Sequence, residues 1–356
     1  IQTFSYDVFG NLTGNVTEQK ISNLSTLDYI YNQEELSAIL PVIQSVDKDS
    51  LGNVIRLNYV NGSVLQRSFE PGTHRLLGLK FINSDGSVLL QESLSLKDFN
   101  VRSRTEASSL ASYQEEFAYD VNNYQLINQH SADFADIEVL RNSKGQTVKV
   151  KDQVYSYRDD NLIGDGQKNY FYDMHGSVLG ACRGPKLKIN SENCVNKLAQ
   201  DLYFVNGEPV QLVRFEGIMV AVVIKGEFYP VVSDHLGSLK YVISPNGKTL
   251  LLHRHFDAWG RKILHTNTNV EDATKLDQKI PWSYAGLDDL SGQNLYWSQS
   301  RVYNANIEQW MTADPLVKWQ ARELSARPGN YYPYRYAGND PLLMVDVSGH
   351  WTFQVG

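Results

Sequence analysis

Apolar and polar positions alternate in short runs along most of the chain, and the runs recur as one unit. The unit reads aromatic, any residue, Tyr, Asp, two or more residues, Gly, polar, aliphatic. Phe4-Ser5-Tyr6-Asp7-Val8-Phe9-Gly10-Asn11-Leu12 is the fullest copy; residues 170–179 and 255–263 are two more. Weaker copies run over 57–65, 80–89, 117–126, 155–162 and 203–210. Period-two alternation before the Asp predicts one strand, and its resumption after the Gly predicts the return strand. The Asp carboxylate accepts from turn amides and the Gly takes a positive φ, so each unit is expected to be a β-hairpin. The marker glycines at 62, 86, 145, 176, 207, 247 and 260 are unevenly spaced, which predicts loops of unequal length.

Helical periodicity is scarce. Segments 34–45 and 103–116 read as short helices or helical loops. The best helix candidate is 317–327, stopped by Pro328-Gly329. An isolated hairpin cannot bury its own apolar face, so successive hairpins are expected to pair edge to edge into one extended, twisted sheet. The expectation is one continuous all-β body with no clean boundary before about residue 280.

Composition narrows the function. Lys plus Arg number 33 against 40 Asp plus Glu, a net charge of -7, which argues against a general nucleic-acid binder. The longest apolar run, Ile218 to Ile224, is far short of the roughly 20 residues of a membrane helix, so no membrane span is expected. No signal peptide is legible at the start, and Ile1 reads as an internal or processed start. Two cysteines, Cys182 and Cys194, exclude a disulfide scaffold and a four-Cys zinc site. They flank most of a basic stretch, 183–198, that reads as a solvated loop; the sequence leaves open whether they are bonded.

Three longer motifs follow in order. Residues 233–260 begin Ser-Asp-His-Leu-Gly-Ser-Leu-Lys and end Phe-Asp-Ala-Trp-Gly. Residues 284–316 begin Tyr-Ala-Gly-Leu-Asp and end Gln-Trp-Met-Thr-Ala-Asp-Pro-Leu. Residues 330–349 contain Tyr-Arg-Tyr-Ala-Gly-Asn-Asp-Pro-Leu and end Val-Asp-Val-Ser-Gly. This ordered set resembles the Rhs/YD-repeat family, in particular its Rhs-associated core domain, over roughly residues 229–350. The resemblance implies an all-β fold: a spiralled sheet of YD-repeat hairpins forming part of a hollow β-shell, capped by the C-terminal core domain. It implies a shell over 1–280 and a core domain, acting as autoprotease and plug, over 281–356. In polymorphic toxins and the C component of Tc toxins such a shell holds a toxic C-terminal domain, and in many members the core domain cuts the chain just after itself.

Self-cleaving members use an aspartyl-protease-like set. Mapped by motif, the resemblance assigns its Arg to Arg301, one Asp to Asp314 in Thr312-Ala313-Asp314-Pro315, and the other to Asp346 in Asp346-Val347-Ser348-Gly349. Two neighbouring carboxyls cannot both ionise easily, so one serves as base towards water and the other as acid towards the scissile carbonyl. A nearby Arg biases which one holds the charge or steadies the oxyanion. The chain departs from the family at Val302-Tyr303-Asn304-Ala305, where Tyr-Tyr-Asp-Pro is usual, at Glu308 in place of a Gly, and at Val347 in place of a Pro. Thr352 to Gly356 follow Trp351, so cleavage is expected at or beyond Gly356, or else the protease is slow or lost.

Other polar residues have plainer readings. Asp7, Asp173 and Asp257 are expected to be turn acceptors, and His235 a turn or core histidine. His253 and His255 share a strand face, but the sequence identifies no further ligands, so no metal and no cofactor is expected. Trp282, Trp297, Trp310, Trp319 and Trp351 are expected to plug the cap and shell interior. The leading reading is therefore a toxin-encapsulating Rhs shell, with a C-terminal toxin domain as cargo and a further shell component or delivery machinery as partner. It would be made in the cytoplasm and secreted or delivered into target cells, with an intramolecular aspartyl autoprotease as a candidate activity. The alternative is a non-cleaving YD-shell adhesion or carbohydrate-binding scaffold of teneurin-like type. An independent hydrolase acting on external substrates ranks last.

Overall fold

The computed structural model describes residues 2–6, 12–17, 26–32, 35–122, 125–135, 138–172, 178–182, 195–199, 201–289, 293–298, 300–314, 333–350 and 352–354, without side chains at 2–17, 178–182 and 195–199. Asp7, Asp173, Gly176, Cys194, Trp319, Trp351, the helix candidate 317–327 and residues 183–194 lie outside the described residues.

Strands pair with their neighbours in the chain, antiparallel throughout. They form an unbroken ladder of twelve from Gln2–Tyr6 to Leu126–His130 and one of eight from Val195–Ala199 to Lys262–Thr266. Sheets of three and four strands lie between them in sequence, and sheets of four and two strands follow. Each sequence repeat is one hairpin of these ladders. Tyr6 faces Leu12, Tyr119 faces Leu126, and Phe256 faces Lys262. The described marker glycines, at 62, 86, 145, 207, 247 and 260, all have φ between 73 and 90°. The fold is all-β, as expected.

The eight-stranded sheet is the central layer. Its strand Ile218–Ile224, the longest apolar run of the sequence, is buried at every position but the first. An apolar run without alternation is what a strand covered on both faces requires. One face meets the twelve-stranded sheet through Tyr59, Phe81, Leu90, Val213, Phe215, Val223, Tyr241 and Ile243. The other face, with Leu212, Val222, Val231 and Leu252, packs against Ala273 and Ile280 around a helix, α1 (Val270–Lys279).

The helical readings of 34–45 and 103–116 are corrected here. These segments hold the strands Glu35–Leu40, Ile43–Lys48, Asn100–Ser108 and Ser112–Tyr119. In the second, alternation was hidden because the inward positions carry charge: Arg104, Glu106 and Glu115 are each 1% exposed. Between the two large sheets these groups meet Lys240, His253 and His255, all buried. Lys240 Nζ lies 2.7 Å from Glu92 and also contacts Glu106; Arg104 Nε donates to Glu115 Oε2 at 2.7 Å; His253 Nε2 is 3.1 Å from Glu106 Oε2. Buried charge is tolerated when each group finds an opposite partner, and this belt ties the sheets together. α1 was not anticipated. It buries only Ala273 and Asp277, too narrow a stripe for an apolar period; its legible signals are the Asn269 cap, Glu271 and Asp272 in the first turn, and Lys279 in the last.

Candidate active site

The C-terminal segment is built on tyrosines. Tyr284-Ala285-Gly286 and Ala337-Gly338-Asn339 are tight turns with left-handed backbone at Ala285, Gly286, Ala337 and Gly338. They seat Tyr284 and Tyr336 in one buried cluster with Tyr296, Tyr303 and Trp310; the Tyr303 and Tyr336 rings stack at 4.1 Å. Three hydroxyls from this cluster grip successive carbonyls of the last repeat's turn. Tyr284 donates to Ala258 at 2.7 Å, Tyr303 to Trp259 at 2.7 Å, and Tyr296 to Gly260 at 2.6 Å. Asp257 is the acceptor of that turn, bonded by the amides of Trp259 and Arg261, as expected of a structural residue.

Trp310 carries the scaffold to the three residues of interest. Its ring lies 4.5 Å beneath the Arg301 guanidinium, which is buried. Arg301 Nη2 sits 3.0 Å from Asp314 Oδ2 and 3.6 Å from Asp346 Oδ2. The three residues assigned by motif are thus brought together around one nitrogen. Arg301 also donates from Nη1 to the Pro333 carbonyl at 3.0 Å and from Nε to the Gly349 carbonyl. The Asp314 amide donates to the same Pro333 carbonyl at 2.9 Å, which fixes Asp314 relative to the arginine.

The two carboxyls differ in setting. Asp346 is 3% exposed at its side chain, Asp314 16%. Burial raises the Asp346 carboxyl above the usual aspartate range, against the opposing pull of Arg301 and of hydrogen bonds to its Oδ1. That oxygen accepts from the amides of Gly349 at 2.8 Å and His350 at 3.1 Å. Asp346 therefore also closes a turn, while its Oδ2 faces the arginine. Met344–Val345 pairs with Phe353–Gln354 as a two-stranded sheet, and Gly349 and His350 lie beside the carboxyls, the amides of both on Asp346 and the His350 ring near Asp314. Burial also lowers the Arg301 guanidinium to about 10. His350 Nδ1, which the sequence reading did not single out, lies 3.7 Å from Asp314 Oδ1; its signal was adjacency to the Asp-x-x-Gly turn.

The family departures have local explanations. Asn304 is buried, and its Oδ1 accepts from the Asn306 amide at 3.0 Å, the turn bond an Asp would make. Glu308, where a Gly is usual, has φ 59°, a left-handed conformation that suits Gly. Val347 is partly exposed and packs beside Gly286. Among the other expected positions, His235 is structural: its Nε2 lies 2.9 Å from the Leu342 carbonyl. Trp310 is fully buried in the tyrosine cluster, whereas Trp297 is 42% exposed and lines, with Trp282, Val345, Val347 and Phe353, a cavity of about 1000 Å³ beside the Asp346 turn. Among the described residues, no helix is long and apolar enough to cross a membrane.

Comparison with known proteins places this architecture. Residues 210–342 match the Teneurin YD-shell family. Among curated proteins, the chain is 23% identical over 241 residues to the tRNA3(Ser)-specific nuclease WapA of Bacillus spizizenii, covering 60% of this chain and 10% of that protein. It is 27% identical over 123 residues to salivary gland surface protein 1 of Aedes aegypti, covering 35% of this chain and 3% of that one. The chain thus spans a tenth or less of these relatives. Among solved structures, TcdB2-TccC3 matches with a TM-score of 0.65 at 15% identity, over 98% of this chain and 22% of that one. The Photorhabdus luminescens Tc holotoxin pore carrying TccC3-D651A matches with a TM-score of 0.66 at 14% identity, over 98% of this chain and 21% of that one. At these identities the structural likeness is one of fold. Hairpin repeats, ordered motifs and matching relatives together make this chain similar to the Rhs/YD-repeat shell proteins, with residues 210–342 matching a YD-shell.

Proposed function

We propose that this chain is the C-terminal part of a toxin-encapsulating shell, and that residues 281–356 form an intramolecular aspartyl protease that severs the polypeptide C-terminal to the Asp346 turn. The observation that carries the reading is the convergence of Asp314 and Asp346 on Arg301, with Gly349 and His350 beside them. Asp346, buried and inclined to hold its proton, donates to the scissile carbonyl oxygen. Asp314, the more exposed partner in the ion pair, takes a proton from the attacking water. Arg301 keeps the pair in register and, through its bond to the Gly349 carbonyl, holds the substrate strand against them. Toxin cargo is supported by the likeness to WapA nucleases and to Tc toxin shells, and delivery into target cells follows from such cargo.

Intact mass spectrometry of the full-length natural protein tests this. Wild type is expected to give two masses with a break C-terminal to Gly349, and Asp346→Asn or Asp314→Asn a single mass with the shell still folded. Normal cleavage in both variants would overturn it. The Teneurin YD-shell match favours a second reading, a non-cleaving adhesion scaffold. If wild type also stays whole and binds a cell surface or glycan array, that reading takes over.

A further inference from the structure

A second polar cluster lies away from the Arg301 site, where the twelve-stranded sheet ends against the last strands of the eight-stranded one. It contains His253, His255 and His265 with Tyr113, Asp133, Glu106 and Glu115. His253 is saturated: its Nε2 lies 3.1 Å from Glu106 Oε2 and its Nδ1 3.0 Å from the Tyr113 hydroxyl. Glu106 and Glu115 are likewise occupied by Arg104 and Lys240. His255 is different. It is fully buried, and its Nε2 lies 3.2 Å from Glu115 Oε1, the natural acceptor of an Nε2 proton. A neutral ring with that proton at Nε2 carries a lone pair at Nδ1. That Nδ1 makes no hydrogen bond, yet lies 3.3 Å from Asp133 Oδ2. A lone pair facing a carboxylate oxygen is repulsive unless a cation or a second proton sits between them. His265 Nε2, buried and also without a hydrogen bond, completes the group. One ligand atom each from Asp133, His255 and His265 lie within 4.8 Å of one another.

We propose that Asp133, His255 and His265 form a binding site for a divalent transition-metal cation of the zinc type. Two imidazoles and one carboxylate, with a position left open, are a donor set such ions take. Glu115 supplies the outer carboxylate that fixes the tautomer and raises the basicity of a ligating histidine, itself held by Arg104. Zinc at about 2.0–2.1 Å from each donor needs ligand atoms roughly 3.3 Å apart. Asp133 and His255 already have that spacing, and His265, half-buried on the edge strand Lys262–Thr266, has a ligand atom within 4.8 Å of theirs. The Asp133 segment is already docked: Phe134 packs edge-on against His255 at 4.8 Å, and Arg261 donates to the Ala135 carbonyl. Asp133 is partly exposed, which gives an ion a way in. The bound ion would clip the segment leaving the twelve-stranded sheet to the edge of the eight-stranded one.

The test is titration of the metal-stripped chain with Zn²⁺, followed by calorimetry and by metal analysis after gel filtration, with Co²⁺ as a visible-absorption probe. Wild type is expected to bind one equivalent, with Co²⁺ bands of imidazole-ligated low-coordinate metal. Asp133→Ala and His265→Ala are each expected to weaken binding at least tenfold, and the exposed His130→Ala to leave it unchanged. Both informative substitutions are on the accessible side of the cluster, and circular dichroism confirms their folding. If either is misfolded, Asp133→Asn and His265→Gln replace them. Substoichiometric binding by wild type, or binding unaffected by loss of Asp133 and His265, would overturn the proposal.

Discussion

Tyr303 and Trp259, 44 residues apart, are joined by one hydrogen bond in which the Tyr303 hydroxyl donates to the Trp259 carbonyl at 2.7 Å. The flanking carbonyls of Ala258 and Gly260 are held in the same way by Tyr284 and Tyr296. The last repeat and the C-terminal motif segment therefore stabilise one another, and the same Tyr303 ring packs on the Trp310 that supports Arg301. Tyr303→Phe keeps the stacking but leaves the Trp259 carbonyl unpaired in a partly buried place. It should cost about 1–3 kcal/mol in urea unfolding, and a loss under 0.3 kcal/mol would show that water replaces the bond.

Gly260 offers a steric test of the same junction. Its φ is 89°, and a Cβ there would lie 2.7 Å from the Tyr284 ring. Gly260→Ala combines a left-handed alanine with overpacking and should destabilise by about 2–4 kcal/mol. The equivalent change at Gly86, also left-handed but with open space around it, should cost about half as much or less. Equal losses at the two sites would mean the backbone alone matters.

The buried belt between the sheets should respond asymmetrically to truncation. Lys240→Met leaves Glu92 and Glu106 without their ammonium, although Arg104 still reaches Glu106. A loss of about 3–5 kcal/mol is expected in chemical denaturation. The double change with Glu92→Leu should recover part of it, because one orphaned charge is gone.

The belt also sets a pH profile. Arg104 and His255 hold the Glu115 carboxyl down at about 2, despite its burial. A carboxyl depressed in the folded state contributes stability above its unfolded value, near 4.5, and loses it as pH falls towards 2. Burial acts the other way on Glu92 and Glu308, raising Glu308 to about 7. Folded protein then binds these protons more tightly than unfolded chain does, so stability declines as pH rises from about 4.5 to 7. Burial also holds the His253 ring down at about 4, which adds stability as pH rises towards 6.5, so these opposing terms should leave the urea midpoint nearly flat between about pH 5 and 7 and falling steeply below about 4. A midpoint rising steadily from pH 5 to 8 would contradict these assignments.

Glu308→Gly isolates one arm of that profile. It relieves a left-handed glutamate and removes a buried carboxyl whose partner, Arg141, is 3.5 Å away and solvent-accessible. Thermal unfolding should show a gain of about 1 kcal/mol near pH 7 that shrinks as pH falls towards 4.5. A destabilised variant would mean that the Arg141 contact outweighs the backbone strain.

Much of this protein was legible in its residues. The alternating runs ending in Asp and Gly encode hairpins because period two, a turn acceptor and a positive φ are local requirements. They located the hairpins at 57–65, 80–89, 117–126 and 255–263. The motif order singled out Arg301, Asp314 and Asp346, which meet in space. The strands around Arg104, Glu106 and Glu115 were not legible, because a charge that points inward looks like one that points to water until its partner is known. α1 was missed for a related reason, since a helix burying two residues leaves almost no apolar period. The grouping of Asp133, His255 and His265 depends on contact between the segment after the twelve-stranded sheet and the far edge of the eight-stranded one. Local sequence thus determined the hairpins and the identity of the carboxyl pair. Only the tertiary structure decided which sheet covers which, and which buried charges and histidines face each other, because those choices rest on contacts between residues more than a hundred positions apart.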